Sequence, residues 1–90
     1  MIVISYDIEN DKLRTRFGKY LTKNGAIRLQ FSVYEINNTS RLISNIKLMI
    51  EKEFRPLFGG GDSIIIFEVK KDELIKYGNA IHRDQDMIFI

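Results

Sequence analysis

Two stretches of the chain carry a helical period, Asp11–Asn24 and Ser40–Phe54, while three short runs, Ile2–Ile4, Ile64–Phe67 and Met87–Ile90, are apolar on successive residues. Neighbouring residues of a strand point to opposite faces, so such runs ask for cover on both sides of a sheet. Two helices can cover one face only. The other face must then meet water, the chain's own tail or a second molecule, and an exposed apolar face of that kind marks an interaction surface.

In order, Met1–Tyr6 reads as a buried strand that ends on an acid, Asp7, where the backbone leaves the sheet. A carboxylate there is rigidly placed and still reachable by solvent, which makes Asp7 the best candidate for chemistry. Asn10 and Asp11 offer an N-cap to the first helix, whose stripe is Leu13, Phe17, Tyr20 and Leu21. At about 100° per residue, Lys12, Arg16, Lys19 and Lys23 gather within about 60° on one flank, with Arg14 on the opposite flank. Four cations with no acid on their flank suggest a phosphate-contacting ridge, against the simpler reading of a solvated face. Asn24-Gly25 is a helix stop.

Ala26–Ile36 reads as two short strands with a bend or bulge at Arg28–Gln30, and with Phe31, Val33 and Glu35 alternating against Ser32, Tyr34 and Ile36. Asn37-Asn38 is a turn, and Thr39 is a plausible N-cap for the second helix, which should end near Arg55 ahead of Pro56. Gly59-Gly60-Gly61 lacks the following Gly-Lys-Ser/Thr of a phosphate loop and is read as a flexible connection. Ser63–Val69 is a strand, Lys70–Glu73 a charged turn, Leu74–Tyr77 a short strand or helical turn, Asn79–Asp86 a loop, and Met87–Ile90 a last strand. The order fits an α+β, ferredoxin-like βαββαβ sandwich with an antiparallel sheet and an extra C-terminal strand. It forms one domain, 1–90, with 78–90 as a tail. A two-fold homodimer, sheet facing sheet, would bury the second face, with the tail docking on the partner; the alternative is a tail folded back on its own sheet.

The totals exclude several classes. No cysteine is present, which rules out disulfides and thiolate metal sites and suits a reducing cytoplasm. Met1 leads straight into a strand, so no signal segment is expected, and no apolar run reaches the roughly 18 residues of a membrane span. The single histidine, His82, makes a catalytic triad or histidine cluster improbable, and Asp84 and Asp86 read as loop solvation. Net charge of +2 is too small to establish an anionic partner by itself, so the placement of the cations carries that argument.

Ile4-Ser5-Tyr6-Asp7-Ile8, then Leu13-Arg14-Thr15-Arg16, then Gly25 to Glu35 with its Arg28-x-Gln30-x-Ser32-Val33-Tyr34-Glu35, resemble the small CRISPR-associated Cas2 family. The likeness is tight over about the first 36 residues, and Tyr34 stands where phenylalanine is common. It implies a ferredoxin-like homodimer, acting in antiviral defence as the bridge between two dimers of the CRISPR integrase during spacer acquisition. It also implies a metal-dependent nuclease centre on Asp7. Near a two-fold axis both Asp7 copies would face one another and repel unless one is protonated or a cation lies between them. Mg²⁺ accepts one or two carboxylates plus waters. The family's other implicated positions fall on Tyr6, Arg14, Arg16, Arg28 and Tyr34: the arginines to hold phosphates, Tyr34 to stack on a base or simply pack. Asp7 could instead be a turn aspartate, Tyr6 a core aromatic, Arg28 a sheet-edge cation and Glu9 a helix N-terminal charge.

Three functions compete. An architectural dimer that binds duplex DNA needs the first-helix cations and not Asp7. A magnesium-dependent endonuclease on RNA or DNA, including a toxin-like endoribonuclease, needs Asp7. A regulatory domain with no nucleic-acid partner needs neither.

Overall fold

In the computed structural model, which describes residues 1–82, strand β1 (Ile2–Asp7) is the frame for everything else. Ile2, Ile4 and Tyr6 point to one side and are buried, while Val3, Ser5 and Asp7 point to the other. The chain then turns into helix α1 (Asp11–Lys23), whose Asn10 side chain accepts the Leu13 N–H at 2.9 Å. Gly25, at φ 88°, takes the left-handed conformation that ends the helix.

Strands β2 (Ile27–Gln30) and β3 (Val33–Ile36) form a hairpin, followed by helix α2 (Ser40–Met49) and strand β4 (Ser63–Glu68). The sheet order is β2-β3-β1-β4, with every pair antiparallel. Both long helices pack on one face, so the α+β, ferredoxin-like arrangement is present in residues 1–68. The core between the layers closes on Phe17, fully buried, whose ring meets those of Tyr6 and Phe54 edge-on, each with centroids 4.9 Å apart.

Four sequence expectations need correction. The bulge lies where expected, between Arg28 and Gln30, but Phe31 does not alternate with Val33: Phe31-Ser32 is the hairpin turn itself, with Ser32 at φ 66°. The second helix is α-helical only to Met49. It widens to a π-helical turn over Ile50–Phe54 and tightens to a 3₁₀ turn over Arg55–Leu57, where Pro56 removes an N–H donor. Four α-helical residues overshoot a full rotation by about 40°. The wider turn takes that drift back, so Ile46, Ile50 and Phe54 all stay buried on one line. Leu74–Tyr77 is neither strand nor helix, and the helical turn (α3, Asn79–His82) falls inside the stretch read as loop.

The second sheet face is partly covered from within. Lys76 forms an ion pair with Glu35, whose side chain is nearly buried on that face. Leu74, Ile75, Tyr77 and Ala80 border an open cavity of about 330 Å³ with Val3, Leu29 and Val33, though Ile75 and Tyr77 themselves stay 73% and 83% exposed. Charge pairing thus replaces the ladder hydrogen bonds expected of a strand at 74–77. Toward β4 the same face is open, with Ile65 54% and Phe67 50% exposed. Met87–Ile90, Asp84 and Asp86 lie outside the described residues. Among the described residues no helix is long and apolar enough to cross a membrane.

Candidate functional site

Tyr6 and Asp7 are adjacent in sequence and opposite in space. Strand alternation sends the Tyr6 side chain under α1 and the Asp7 carboxylate to the second face, so the candidate residues divide into three groups.

Asp7 closes β1 opposite Ser63, the first residue of β4. It is exposed, and among the described residues its carboxylate has no ion-pair partner. Its neighbourhood is held by Asp62, which accepts the Glu9 N–H at 2.9 Å and the Gly59 N–H at 2.8 Å; these two donors hold the Asp62 carboxyl below its ordinary range. Asp62 therefore ties the glycine connection to the exit of β1, an anchoring role that the glycine-rich sequence conceals. Among the described residues no three His, Cys, Asp or Glu side chains converge as a metal site. One chain offers Asp7 as a single carboxylate. That suits a cation which keeps most of its waters.

On α1, Lys12, Arg16, Lys19 and Lys23 are all exposed, and none has an ion-pair partner among the described residues. Lys12, Arg16 and Lys19 line one shallow groove of about 490 Å³ with Thr15 and Asp11. The Arg16 guanidinium lies over the Phe54 ring, 5.2 Å from its centroid, which fixes its direction. Asp11 is engaged by Arg14.

The third group lies between α1 and the hairpin turn, around a cavity of about 510 Å³ to which Tyr6, Arg14, Lys19, Lys23, Arg28 and Tyr34 all contribute. Tyr6 and Tyr34 are 8% and 7% exposed, and their rings stack with centroids 6.1 Å apart. Gly18 lets them in: a Cβ there would lie 3.0 Å from the Tyr34 hydroxyl and 3.3 Å from that of Tyr6. The backbone N–H of Tyr6 donates to Ser32 O at 3.0 Å and holds the hairpin turn over the cavity. Arg14 is turned partly to its own chain, donating to Ile8 O at 3.0 Å. Arg28 is exposed at the rim. Sequence reasoning missed Gly18, Phe31 and Ser32; a glycine inside the helix beside Phe17 was the available signal of close approach.

Burial, and next the neighbouring Tyr34 phenol, push the Tyr6 hydroxyl up to about 12 from 10.0. A raised phenol favours the folded state while it is protonated. That contribution is complete below pH 10.0 and disappears as pH rises through about 12. Tyr6→Phe keeps the ring and removes the titration. The stability of the wild type relative to this variant should therefore fall by on the order of 2 kcal/mol across that window, measured by urea unfolding at its two ends. A constant difference would mean that the phenol is not held in the core.

Comparison with known proteins gives two findings. The family model described as CRISPR associated protein Cas2 matches residues 1–76. A CRISPR-associated endoribonuclease Cas2 of Thermofilum pendens is 29% identical over 73 residues, spanning 81% of this chain and 74% of the relative.

Proposed function

As the chain belongs to the CRISPR-associated Cas2 family, we propose that it acts as a homodimeric scaffold of spacer acquisition. In this role it holds duplex DNA on the basic ridge of α1 and bridges two dimers of the integrase partner. One observation carries the reading: Lys12, Arg16, Lys19 and Lys23 stand exposed along one helix flank with no ion pair among the described residues. Cations free of an intramolecular partner can neutralise phosphates and so displace the duplex's condensed counterions. The open strip at Ile65 and Phe67 supports pairing of two copies through the second sheet face, which would bring the Asp7 residues of both copies to the same side. Of the tail read as 78–90, Ala80 lies against this chain's own sheet, and the partner contact is proposed for the part beyond α3.

A second reading, a metal-dependent endonuclease on RNA or DNA, is favoured by the placement of Asp7 and by the name of the relative. Asp7 of each copy would hold Mg²⁺, and the ion would supply charge neutralisation at a phosphodiester and a more acidic water. The residues of this chain then divide the work. Asp7 would hold the ion at the end of β1, and Asp62, by accepting the Glu9 N–H, would keep that strand end in place.

The test is to mix the purified protein with its integrase partner and a blunt duplex, and to weigh the complex by light scattering. One dimer of this chain per two integrase dimers is expected, and integration should depend on its presence. A chain that stays monomeric at micromolar concentration, or an integrase that integrates equally well alone, would overturn the scaffold.

A further inference from the structure

The cavity between α1 and the hairpin turn gathers Tyr6, Arg14, Arg28 and Tyr34, which the family resemblance ties to nucleic acid, around a turn residue that it does not, Phe31. At about 510 Å³ it falls within the size range of small-ligand sites. Its chemistry is one-sided: among the described residues no acid lines it, while Arg14, Lys19, Lys23 and Arg28 do. Its floor is formed by the buried rings of Tyr6 and Tyr34, whose hydroxyls fill the space that a side chain at position 18 would take.

Its rim is the least expected part. Phe31 occupies a two-residue turn where a polar residue would do, and it is 69% exposed. The Arg28 guanidinium carbon lies 5.3 Å and that of Arg14 5.9 Å from the Phe31 ring centroid. The ring is therefore held in place by two cations without being buried. A fixed, exposed aromatic residue beside several cations suits a flat base attached to a phosphate.

We propose that this cavity binds one unpaired nucleotide, with its base against Phe31 and its phosphate between Arg28 and the lysines of α1. Lys19 lines both this cavity and the ridge groove, so the unpaired end of a duplex lying on the ridge can reach the cavity without leaving the surface. This extends the duplex-binding reading. A free nucleoside phosphate offers the same chemistry, and the experiment separates the two sources.

Affinity is measured for a blunt duplex, for the same duplex with one unpaired nucleotide at each end, and for adenosine 5′-monophosphate alone, with wild type, Phe31→Ala and Arg28→Gln. Both substitutions are at exposed positions, and circular dichroism checks that the variants fold. A strand-end site gives about tenfold tighter binding of the overhanging duplex, in line with the stacking of one base, and Phe31→Ala brings it down to the wild-type blunt-duplex value. A free-nucleotide site gives saturable binding of the monophosphate that each variant weakens about tenfold, with no preference between the duplexes. The monophosphate arm stands even if no duplex binds, so failure of the ridge and failure of the cavity read out separately. Equal binding of both duplexes together with no saturable monophosphate binding overturns the proposal. So does an overhang preference that survives both substitutions.

Discussion

Replacing Lys12, Arg16, Lys19 and Lys23 together by glutamine is expected to flatten the salt dependence of duplex binding by about 3.6 in the slope of log affinity against log salt for each chain engaged, at about 0.9 per phosphate contact. For one ridge, raising salt from about 50 mM to about 200 mM would weaken the wild type roughly 150-fold and leave the variant nearly insensitive. If both ridges of a dimer lie on the same duplex, the slope doubles to about 7 and the same salt step costs on the order of 10⁴-fold. The slope therefore counts the ridges in use as well as testing them. Glutamine keeps the helix propensity of the residues it replaces. The one packing loss is at Arg16, whose guanidinium covers Phe54, and a thermal melt measures it separately. Arg14 is left in place because it closes the turn between β1 and α1 through Ile8 O. Duplex affinity and slope unchanged by the fourfold substitution would move the binding surface elsewhere and remove the basis of the scaffold.

What could be read from the sequence follows how locally each feature is determined. Both helix starts were legible because a cap is a contact over three residues: Asn10 to Leu13 and Thr39 to Leu42, the latter at 3.2 Å. The ridge was legible for the same reason, since four exposed cations at helical spacing need no partner to be recognised. The turn at Phe31-Ser32 was not, because it contains none of the residues that announce a left-handed turn, and Ser32 takes φ 66° where its carbonyl receives the Tyr6 N–H. Leu74–Tyr77 misled because its apolar residues mimic an element. In the fold the segment is irregular, held to the sheet by an ion pair between residues 35 and 76, with Leu74 half-buried and Ile75 and Tyr77 exposed. The separation of Tyr6 from Asp7 follows from strand alternation alone, yet reading the two as one motif hides it. The cavity had no local signal strong enough to find it, because Tyr6, Gly18 and Tyr34 meet only after the sheet and helix have packed.

Asp7→Asn is expected to remove metal-dependent phosphodiester cleavage by two orders of magnitude or more, about 3 kcal/mol or more of barrier, while duplex affinity and integration with the partner change less than about twofold. The asymmetry comes from position. Asp7 is exposed at the end of β1 with no ion pair among the described residues, so asparagine removes a charge and disturbs no packing. It also faces away from the helix layer that carries the ridge. A second readout does not depend on turnover. If the Asp7 carboxylates of two copies approach one another, they repel until a cation lies between them, so magnesium should raise the melting temperature of the wild-type dimer and leave that of Asp7→Asn unchanged. Removing the metal with a chelator should lower the wild-type melt to or below that of the variant, because asparagine has already relieved the repulsion. Cleavage that persists in Asp7→Asn would place the nuclease centre elsewhere or outside this protein. Integration that collapses in Asp7→Asn while the complex still assembles would mean that the carboxylate acts in acquisition itself, and the purely architectural reading would fall.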